Sequence, residues 1–254
     1  MKTGDPRSDA GKVFLVGAGP GDPELLTRKG ARILAAADTV VFDHLVSEAV
    51  LDLSPATAER VYVGKEPGNH ELPQPEINRL LIERARAGRC VVRLKGGDPF
   101  MFGRGGEEII DLAAAGVPFE VVPGVTAASA ASAYCGVPLT HRGIVRACTL
   151  VSGHLTDGRV DLDWVGLARA GHTIVVYMGL AGIRIICEQL IAHGMNSATP
   201  AVAIRNVSVA TQRTVVGTLA DLPERIAQAE LKPPAIVIIG EVVRLRERLE
   251  WFGR

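Results

Sequence analysis

Apolar and polar positions alternate along the chain in two distinct ways from residue 13 onward. Short runs of β-branched and other apolar residues are separated by longer segments in which apolar positions have helical spacing. This alternation is typical of an α/β fold built on parallel or mixed sheets. In the first half it predicts five strands, at Val13–Val16, Thr39–Phe42, Val61–Val63, Val91–Leu94 and Phe119–Val122. Helices are predicted between them at Leu25–Ala36, Pro75–Ala87 and Glu107–Ala115.

A second set of strands follows the turn at Pro123-Gly124 and the alanine-rich segment Thr126–Tyr134. These strands are predicted at Ala147–Val151, Thr173–Tyr177, Ala201–Ile204, Arg213–Val216 and Ala235–Ile239, with helices at Leu180–His193 and Leu219–Ala229. Because the first five strands are enough for one small sheet, we expect two α/β domains. We place them at residues 12–137 and 138–254, after a flexible N-terminus of residues 1–11.

The equal numbers of acidic and basic side chains exclude some classes of function. Acidic and basic side chains number 28 each in 254 residues, so no global field draws the protein to nucleic acid or to an anionic membrane. An anionic ligand would have to meet a local cluster of cations.

No signal core or membrane-length apolar run is present, and the four separated cysteines lack metal-ligand spacing. We therefore expect a cytoplasmic protein with buried thiols, no membrane partner and no metal.

The first glycine-rich turn, Gly17 to Asp22, directly follows the first predicted strand. It is similar to the turn of a dinucleotide-binding site, but Asp22 stands where the third glycine of that fingerprint belongs. Asp43 lies farther along than the roughly 20 residues typical of the ribose-binding acid. A nicotinamide site is therefore disfavoured, and a tight connection that binds nothing remains a second interpretation.

The second glycine-rich segment, Lys95 to Glu108, carries more information. It places five glycines and two phenylalanines between a strand and a helix, at the end of the strand where ligands collect in α/β sheets. Arg104 and Glu107 are three residues apart, so they can share the first helical turn and point into one cleft. The alternative is an exposed ion pair in which Glu107 favours the helix N-terminus.

These motifs resemble the tetrapyrrole methylase superfamily, and in particular the uroporphyrinogen III C-methyltransferases. Matching segments are VGAGPGDP at Val16–Pro23, VVRLKGGDPFMFGRGGEE at Val91–Glu108, FEVVPGVTA at Phe119–Ala127, and the run Gly136–Arg142. The resemblance spans Lys12 to about Val243. It implies a homodimer whose two α/β domains enclose S-adenosylmethionine in the cleft between them. Around Lys65–Gln74 the sequence departs from the family pattern, which predicts an effect on substrate access.

The resemblance also implies the residues of the site. Cofactor contacts would come from Pro20, Gly96, Gly97, Asp98, Thr126, Ala127, Met178, Val207 and Ala235. Substrate contacts would come from Asp43, Arg104, Glu107, Arg142 and Met178. Arginines suit the eight carboxylates of the tetrapyrrole because a guanidinium binds a carboxylate through two parallel hydrogen bonds. Secondary cation candidates are Arg146, Lys65, Arg205 and Arg213, and His141 is a further group able to transfer a proton.

The implied reaction is methylation of uroporphyrinogen III at C2 and C7 to precorrin-2, with release of S-adenosylhomocysteine. Arg104, Glu107 and Arg142 are the candidate catalytic residues. Glu107 is the chemically better base, since an arginine pKa normally exceeds about 12, although the family resemblance gives Arg104 a base-like role. Alternatives are another precorrin C-methyltransferase of cobalamin synthesis and a nicotinamide-dependent oxidoreductase. Sirohaem, cobalamin and haem d1 synthesis all remain open as destinations of the product.

Overall fold

A computed structural model of the chain describes residues 11–64 and 72–253. Its residues divide into two compact units, one ending at Thr126 and the other beginning at Ala127. Each unit contains one five-stranded sheet with helices packed on it. The α/β fold class predicted from the alternation of apolar runs is therefore confirmed.

The first unit is a parallel sheet in the order β3-β2-β4-β1-β5. Its strands are β1 (Val13–Gly17), β2 (Thr39–Phe42), β3 (Glu59–Tyr62), β4 (Val91–Lys95) and β5 (Phe119–Val122). The helices are α1 (Arg28–Leu34), α2 (Glu48–Leu51), α3 (Gln74–Arg86) and α4 (Gly105–Ala114).

Both faces of this sheet are covered, which explains why its strands are continuous apolar runs. On one face Phe14 and Val16 pack with Ile33 of α1. On the other face Leu15 packs with Leu81 of α3 and with α4. In a parallel sheet all strands end at the same edge, so the loops after β1, β2, β4 and β5 are neighbours.

The second unit contains a mixed sheet in the order β6-β7-β10-β8-β9. Its strands are β6 (Ala147–Ser152), β7 (His172–Tyr177), β8 (Pro200–Arg205), β9 (Arg213–Thr218) and β10 (Ala235–Ile239). The helices are α5 (Ala127–Cys135), α6 (Trp164–Leu167), α7 (Ile183–Ala192), α8 (Leu222–Gln228) and α9 (Arg246–Leu249). Strands β6 and β7 are parallel, whereas β10 pairs antiparallel with β7 and β8, and β8 pairs antiparallel with β9.

The ten strands predicted from the sequence are the ten strands of the described residues, with ends that move by no more than a few positions. The first helix needs a correction. Instead of one helix over Leu25–Ala36, a short 3-10 turn at Pro23–Leu25 is followed by α1. The break has a local cause, because the Thr27 side chain accepts a hydrogen bond from the Gly30 amide and so begins a new helix.

The division between the units falls before α5, whereas the sequence-based boundary after residue 137 falls behind it. Helix α5 belongs to the second unit through two contacts. The Tyr177 hydroxyl accepts a hydrogen bond from the Ala128 amide, and the Trp251 indole donates to the Ala133 carbonyl. These partners are far away in sequence, so the alanine-rich pattern itself does not show to which sheet the helix belongs.

Cys90, Cys135 and Cys187 are buried as expected, whereas Cys148 is only half-buried, and all four are free thiols. Burial raises the pKa of Cys135 and Cys187 to about 12, which keeps both thiols protonated. Across residues 11–64 and 72–253, no helix is both long and apolar enough to cross a membrane. The same residues include no group of three or more His, Cys, Asp or Glu side chains that could hold a metal ion.

Candidate functional site

Three glycines meet at the edge of the first sheet where its strands end. A Cβ on Gly17 would lie 2.6 Å from the backbone of Gly124, and one on Gly124 would lie 2.2 Å from the carbonyl oxygen of Gly97. Gly97 also exchanges two backbone hydrogen bonds with Gly19, one of 2.7 Å and one of 3.2 Å. The loops after β1, β4 and β5 are therefore in direct backbone contact, a packing that only glycine permits here.

The Asp98 carboxylate joins two of these loops by hydrogen bonds. Its Oδ1 accepts a hydrogen bond of 2.9 Å from the Phe100 amide, and its Oδ2 accepts one of 3.0 Å from the Gly124 amide. The carboxylate thus holds the second glycine segment against the turn after β5. Each oxygen keeps a lone pair, so Asp98 can still accept from a ribose hydroxyl, the role that the resemblance implies.

The other predicted cofactor contacts of this unit lie along the same edge. Gly96 packs against the loop after β2, and a Cβ there would lie 2.5 Å from the Cβ of Leu45. Pro20 and Thr126 are half-buried. Pro20, the Gly96–Asp98 segment and Thr126 thus all follow strands of the first sheet at the edge where its strands end, and Gly96 and Gly97 are half-buried there.

Arg104 and Glu107 form an exposed ion pair, the arrangement predicted as the alternative to two side chains in a cleft. Arg104 Nε and Nη2 donate to the two carboxylate oxygens of Glu107 over 2.9 and 2.7 Å. Both side chains are more than half exposed. The arginine hydrogen bonds lower the pKa of Glu107 below its ordinary value, so the group is ionised and is a weaker base than a lone carboxylate.

Arg104 also has an unusual backbone. It precedes α4 in the left-handed region, with φ 58° and ψ 13°, which costs a non-glycine residue of this kind about 1 to 3 kcal/mol. Together with Glu107 it lines a cavity of about 330 Å³ between α3 and α4, which also includes Gln74, Asn78 and Asp111. This strained arginine thus borders an open groove between two helices, and its exposed side chain is accessible to a ligand.

Sequence reasoning missed a group of buried charges beneath this loop. Arg93 and Lys95 of β4 and Glu108 of α4 are each at most 5% exposed. Arg93 reaches Asp43, a predicted substrate residue at the end of β2, over 3.1 Å. The available signal was the pair of cations in an otherwise apolar strand, because buried charges occur almost only in partnered form.

In the second unit, Met178, Val207 and Ala235 lie along one edge of the sheet. Strands β7 and β8 end at this edge and β10 begins there, since Val237 pairs with Val176 and Ala235 pairs with Arg205. Met178 is 49% exposed and has a left-handed backbone with φ 53°. Val207, in contrast, is buried, so a contact with it would need some rearrangement.

Ala127, the first residue of α5, is half-buried and precedes the Ala128 amide that Tyr177 binds. Because Tyr177 directly precedes Met178, this hydrogen bond holds the start of α5 beside the same edge of the second sheet. Thr126 and Ala127 stand on the two sides of the division between the units. Their role as cofactor contacts stays a prediction.

The remaining cation candidates occupy different surroundings. Arg142 is exposed in a tight turn closed by a hydrogen bond from the Val145 amide to the His141 carbonyl, and Arg146 is exposed nearby. Arg213 donates to the Ala229 carbonyl after α8, a helix-ending role. Arg205 has a buried Nε without a hydrogen-bond partner among the described residues. Lys65 lies outside the described residues, as does the part of the Lys65–Gln74 segment before residue 72.

A family model described as Tetrapyrrole (Corrin/Porphyrin) Methylases matches residues 12–223. The chain belongs to this family. The resemblance drawn from the glycine segments is therefore confirmed, and so is the expectation of a methyltransferase at the level of the family.

This methylase is also similar to individual proteins. It is 55% identical over 249 residues to a siroheme synthase of Pseudomonas fluorescens, in a match that covers 98% of this chain and 54% of that protein. The chain thus spans about half the length of the curated relatives that it matches. A crystal structure of uroporphyrin-III C-methyl transferase from Thermus thermophilus in complex with S-adenyl homocysteine is 46% identical, with a TM-score of 0.80 and coverage of 92% and 99%. A cobalt precorrin-4 methyltransferase is 28% identical, with a TM-score of 0.82 and coverage of 93% and 97%.

Proposed function

We propose that this methylase transfers methyl groups from S-adenosylmethionine to C2 and C7 of uroporphyrinogen III, giving precorrin-2 and S-adenosylhomocysteine. The observation that carries the proposal is the glycine crossing at Gly17, Gly97 and Gly124 beside the Arg104–Glu107 pair. The loop after β4 thus contains half-buried glycine backbone at Gly96 and Gly97 and, at Arg104, an exposed cation suited to a carboxylate. The alternative product of another precorrin methyltransferase has less support, because identity to such an enzyme is 28% against 46%.

The described residues fit the cofactor. Gly96, Gly97 and Asp98 offer backbone groups and carboxylate lone pairs, and Pro20 and Thr126 border the same edge. In the second unit Met178, Val207 and Ala235 offer apolar and backbone surface along one sheet edge, and Ala127 begins α5 beside it. When bound, S-adenosylmethionine supplies an electrophilic methyl group on a sulfonium. We propose that residues of the first unit and residues of the second unit both contact it, as the resemblance implies.

The protein's own contribution is to position the substrate and to move one proton for each methylation. The reduced tetrapyrrole is electron-rich, so its ring carbon forms the new bond to the methyl carbon while the sulfur–methyl bond breaks. Arg104 and Arg142 bind substrate carboxylates and thereby place that carbon in line with the methyl group. Met178 and Asp43 complete the substrate contacts.

The bidentate geometry of the Arg104–Glu107 pair suggests how the proton leaves. A substrate carboxylate that binds the Nε and Nη2 fork of Arg104 must displace Glu107 from it. Once displaced, Glu107 loses the contact that lowers its pKa and becomes a better base for the proton that the ring loses after methylation. The two candidate roles are then one event, in which Arg104 binds the substrate and Glu107 accepts the proton.

Anaerobic incubation of the protein with uroporphyrinogen III and labelled S-adenosylmethionine tests the proposal. Mass spectrometry should find two added methyl groups, and their positions follow from NMR of the product. No methylated product would refute the proposal, and methylation of a later precorrin alone would support the alternative. A calorimetric titration should show binding of S-adenosylhomocysteine and none of NAD, and the reverse result would favour the oxidoreductase.

The roles of Arg104 and Glu107 have a matched control on the neighbouring helix. Glu76 and Arg79 of α3 form an ion pair with the same three-residue spacing, and both side chains are also exposed. Arg104→Lys and Glu107→Gln should lower kcat by a factor of about 100 or more with little change in affinity for S-adenosylhomocysteine. Arg79→Lys should leave kcat unchanged. Equal behaviour of the two pairs would mean that Arg104–Glu107 is only a surface contact.

The homodimer implied by the resemblance stays a prediction, which sedimentation would test.

A further inference from the structure

The cluster of Arg93, Lys95 and Glu108 is the part of the first unit that the proposed mechanism leaves unexplained. Glu108 is 0% exposed, although its two neighbours in sequence on α4, Glu107 and Ile109, are exposed or half-buried. Arg93 and Lys95 lie two residues apart on β4, so both point to the face of the sheet that α3 and α4 cover. Two cations and an anion are thus enclosed between a strand and a helix.

A single oxygen atom organises this cluster. Oε1 of Glu108 accepts hydrogen bonds from Arg93 Nε over 3.1 Å, from Lys95 Nζ over 3.1 Å and from Gln74 Nε2 over 3.2 Å. Its other oxygen, Oε2, is buried without a hydrogen-bond partner among the described residues. Three donors that converge on one atom fix that atom in three directions. The first turns of α3 and α4 and the end of β4 are therefore held at set distances from one another.

Arg93 extends the cluster to the next strand. Its Nη2 donates to Oδ2 of Asp43 over 3.1 Å, while Oδ1 of Asp43 accepts from the Leu45 amide over 3.0 Å. The same Leu45 packs on the backbone of Gly96, with no room for a Cβ between them. The cluster thus ties Asp43, the first turn of α4 and the start of the glycine segment into one arrangement.

Stability alone does not account for such an arrangement. Enclosing an ion costs several kcal/mol even after relaxation, and apolar residues of similar volume often replace a buried ion pair at no loss. The pKa of Lys95 reflects this cost, since it is lowered mainly by burial and then by the charge of Arg93, against the opposing attraction of Glu108. Hydrogen-bonded ionic contacts, unlike apolar ones, fix the orientation of the groups that they join. The orientation of α4 matters here because Glu108 adjoins Glu107 and lies one helical turn from Arg104.

We infer that Glu108, acting with Lys95 and Arg93, is a positioning residue for the proposed methyl transfer. The cluster holds Arg104, Glu107 and Asp43 in fixed places relative to the Gly96–Asp98 segment. This inference rests on the proposed function. We expect cofactor binding to depend chiefly on the backbone pairing of Gly97 with Gly19 and on the bond from Gly124 to Asp98, none of which Glu108 contacts directly. Disturbing Glu108 should therefore slow the reaction without weakening the cofactor.

Two variants of the full chain test the inference. Glu108→Asp keeps the charge and shortens the side chain by one methylene, so the protein should fold while α4 shifts. Since a misplacement of about 1 Å can cost about a hundredfold in rate, kcat should fall at least about tenfold. The double variant Lys95→Met with Glu108→Leu replaces the ion pair by apolar side chains of similar volume. Arg93 keeps its bond to Asp43, but its Nε and the Gln74 amide lose their acceptor, so the melting temperature should fall by several degrees. The kcat, measured well below that temperature, should still fall at least about tenfold.

Each variant is compared with the wild type by kcat, by KM for the tetrapyrrole and by the Kd of S-adenosylhomocysteine. The inference predicts a lowered kcat with a Kd that changes by less than about threefold. The inference would be overturned if Glu108→Asp had the kcat of the wild type, or if the double variant had it. If the wild type itself makes no methylated tetrapyrrole, the proposed function fails. If the wild type is active and both variants match it, only the positioning role fails.

Discussion

Gly124→Ala perturbs the point where the loops after β1, β4 and β5 cross. The added Cβ would stand 2.2 Å from the Gly97 carbonyl oxygen and 2.8 Å from Cα of Gly17. A carbon and a carbonyl oxygen normally approach no closer than about 3.3 Å, so the backbones must separate by about 1 Å. No flexible side chain is available to give way, because the atoms that are met belong to the main chain.

The cost follows from the contacts that this separation breaks. Overpacking of a close contact costs about 1 to 3 kcal/mol, and a lost hydrogen bond about 1 kcal/mol more. The bonds at risk are that of the Gly124 amide to Asp98 Oδ2 and that of the Gly19 amide to the same Gly97 oxygen. Together these give a loss of about 2 to 5 kcal/mol, which lowers the melting temperature by on the order of 10 °C in a protein of this size.

Gly106→Ala is the matched control. Gly106 lies within the same loop-and-helix segment, and a Cβ there meets nothing within 4 Å. Since it is helical, alanine should stabilise it by up to about 1 kcal/mol. Differential scanning calorimetry measures both variants, and titration with S-adenosylhomocysteine measures how well the crossing still binds. The reasoning is refuted if Gly124→Ala melts and binds like the wild type, or if Gly106→Ala is equally damaging.

Two further predictions concern single contacts. The pKa of Glu59 is held below 4.5 chiefly by hydrogen bonds from Arg84, so its stabilisation is complete above that pH and is lost as pH falls through the lowered value. The melting-temperature gap between wild type and Glu59→Gln should therefore close on acidification, and a constant gap would contradict this. Tyr177→Phe leaves the buried Ala128 amide without its acceptor, which should cost about 1 to 3 kcal/mol in urea unfolding. A free energy of unfolding equal to that of the wild type would contradict this.

The strands could be predicted because their signal is local. Val13–Gly17 and Ala235–Ile239 are uninterrupted apolar runs, and such runs form strands wherever both faces of a sheet are covered. The four-residue helices α2 and α6 could not be predicted in the same way. Each is shorter than two helical turns and depends on one side-chain cap, from Ser47 and Asp163 respectively, rather than on a repeating pattern.

The Arg104–Glu107 pair could also be predicted, since residues three apart at a helix start are neighbours by geometry. The effect of the pair on the pKa of Glu107 could not be predicted. Whether Glu107 is freed or bound depends on the rotamer of the arginine, which places Nε and Nη2 on the two carboxylate oxygens. For the second unit, the clustering of Met178 and Ala235 depends on the antiparallel register of β7 and β10, which the sequence of neither strand determines by itself.

The charges of β4 show where sequence reasoning could have gone further. Val91, Arg93 and Lys95 share one face of a central strand, while Val92 and Leu94 share the other. A central strand of a parallel sheet is covered on both faces, so two cations on one face require buried acceptors. This pattern, unused in the sequence-based predictions, would have indicated a buried anion beneath the glycine segment. Which anion it is depends on the helix that packs there, and Glu107, Glu108 and Asp111 on α4 all qualify by distance along the chain. Only the rotation of α4 about its axis decides the question, by turning Glu108 inward and Glu107 outward. That same rotation gives two adjacent carboxylates different roles, one facing the cavity beside Arg104 and one holding the helix in place.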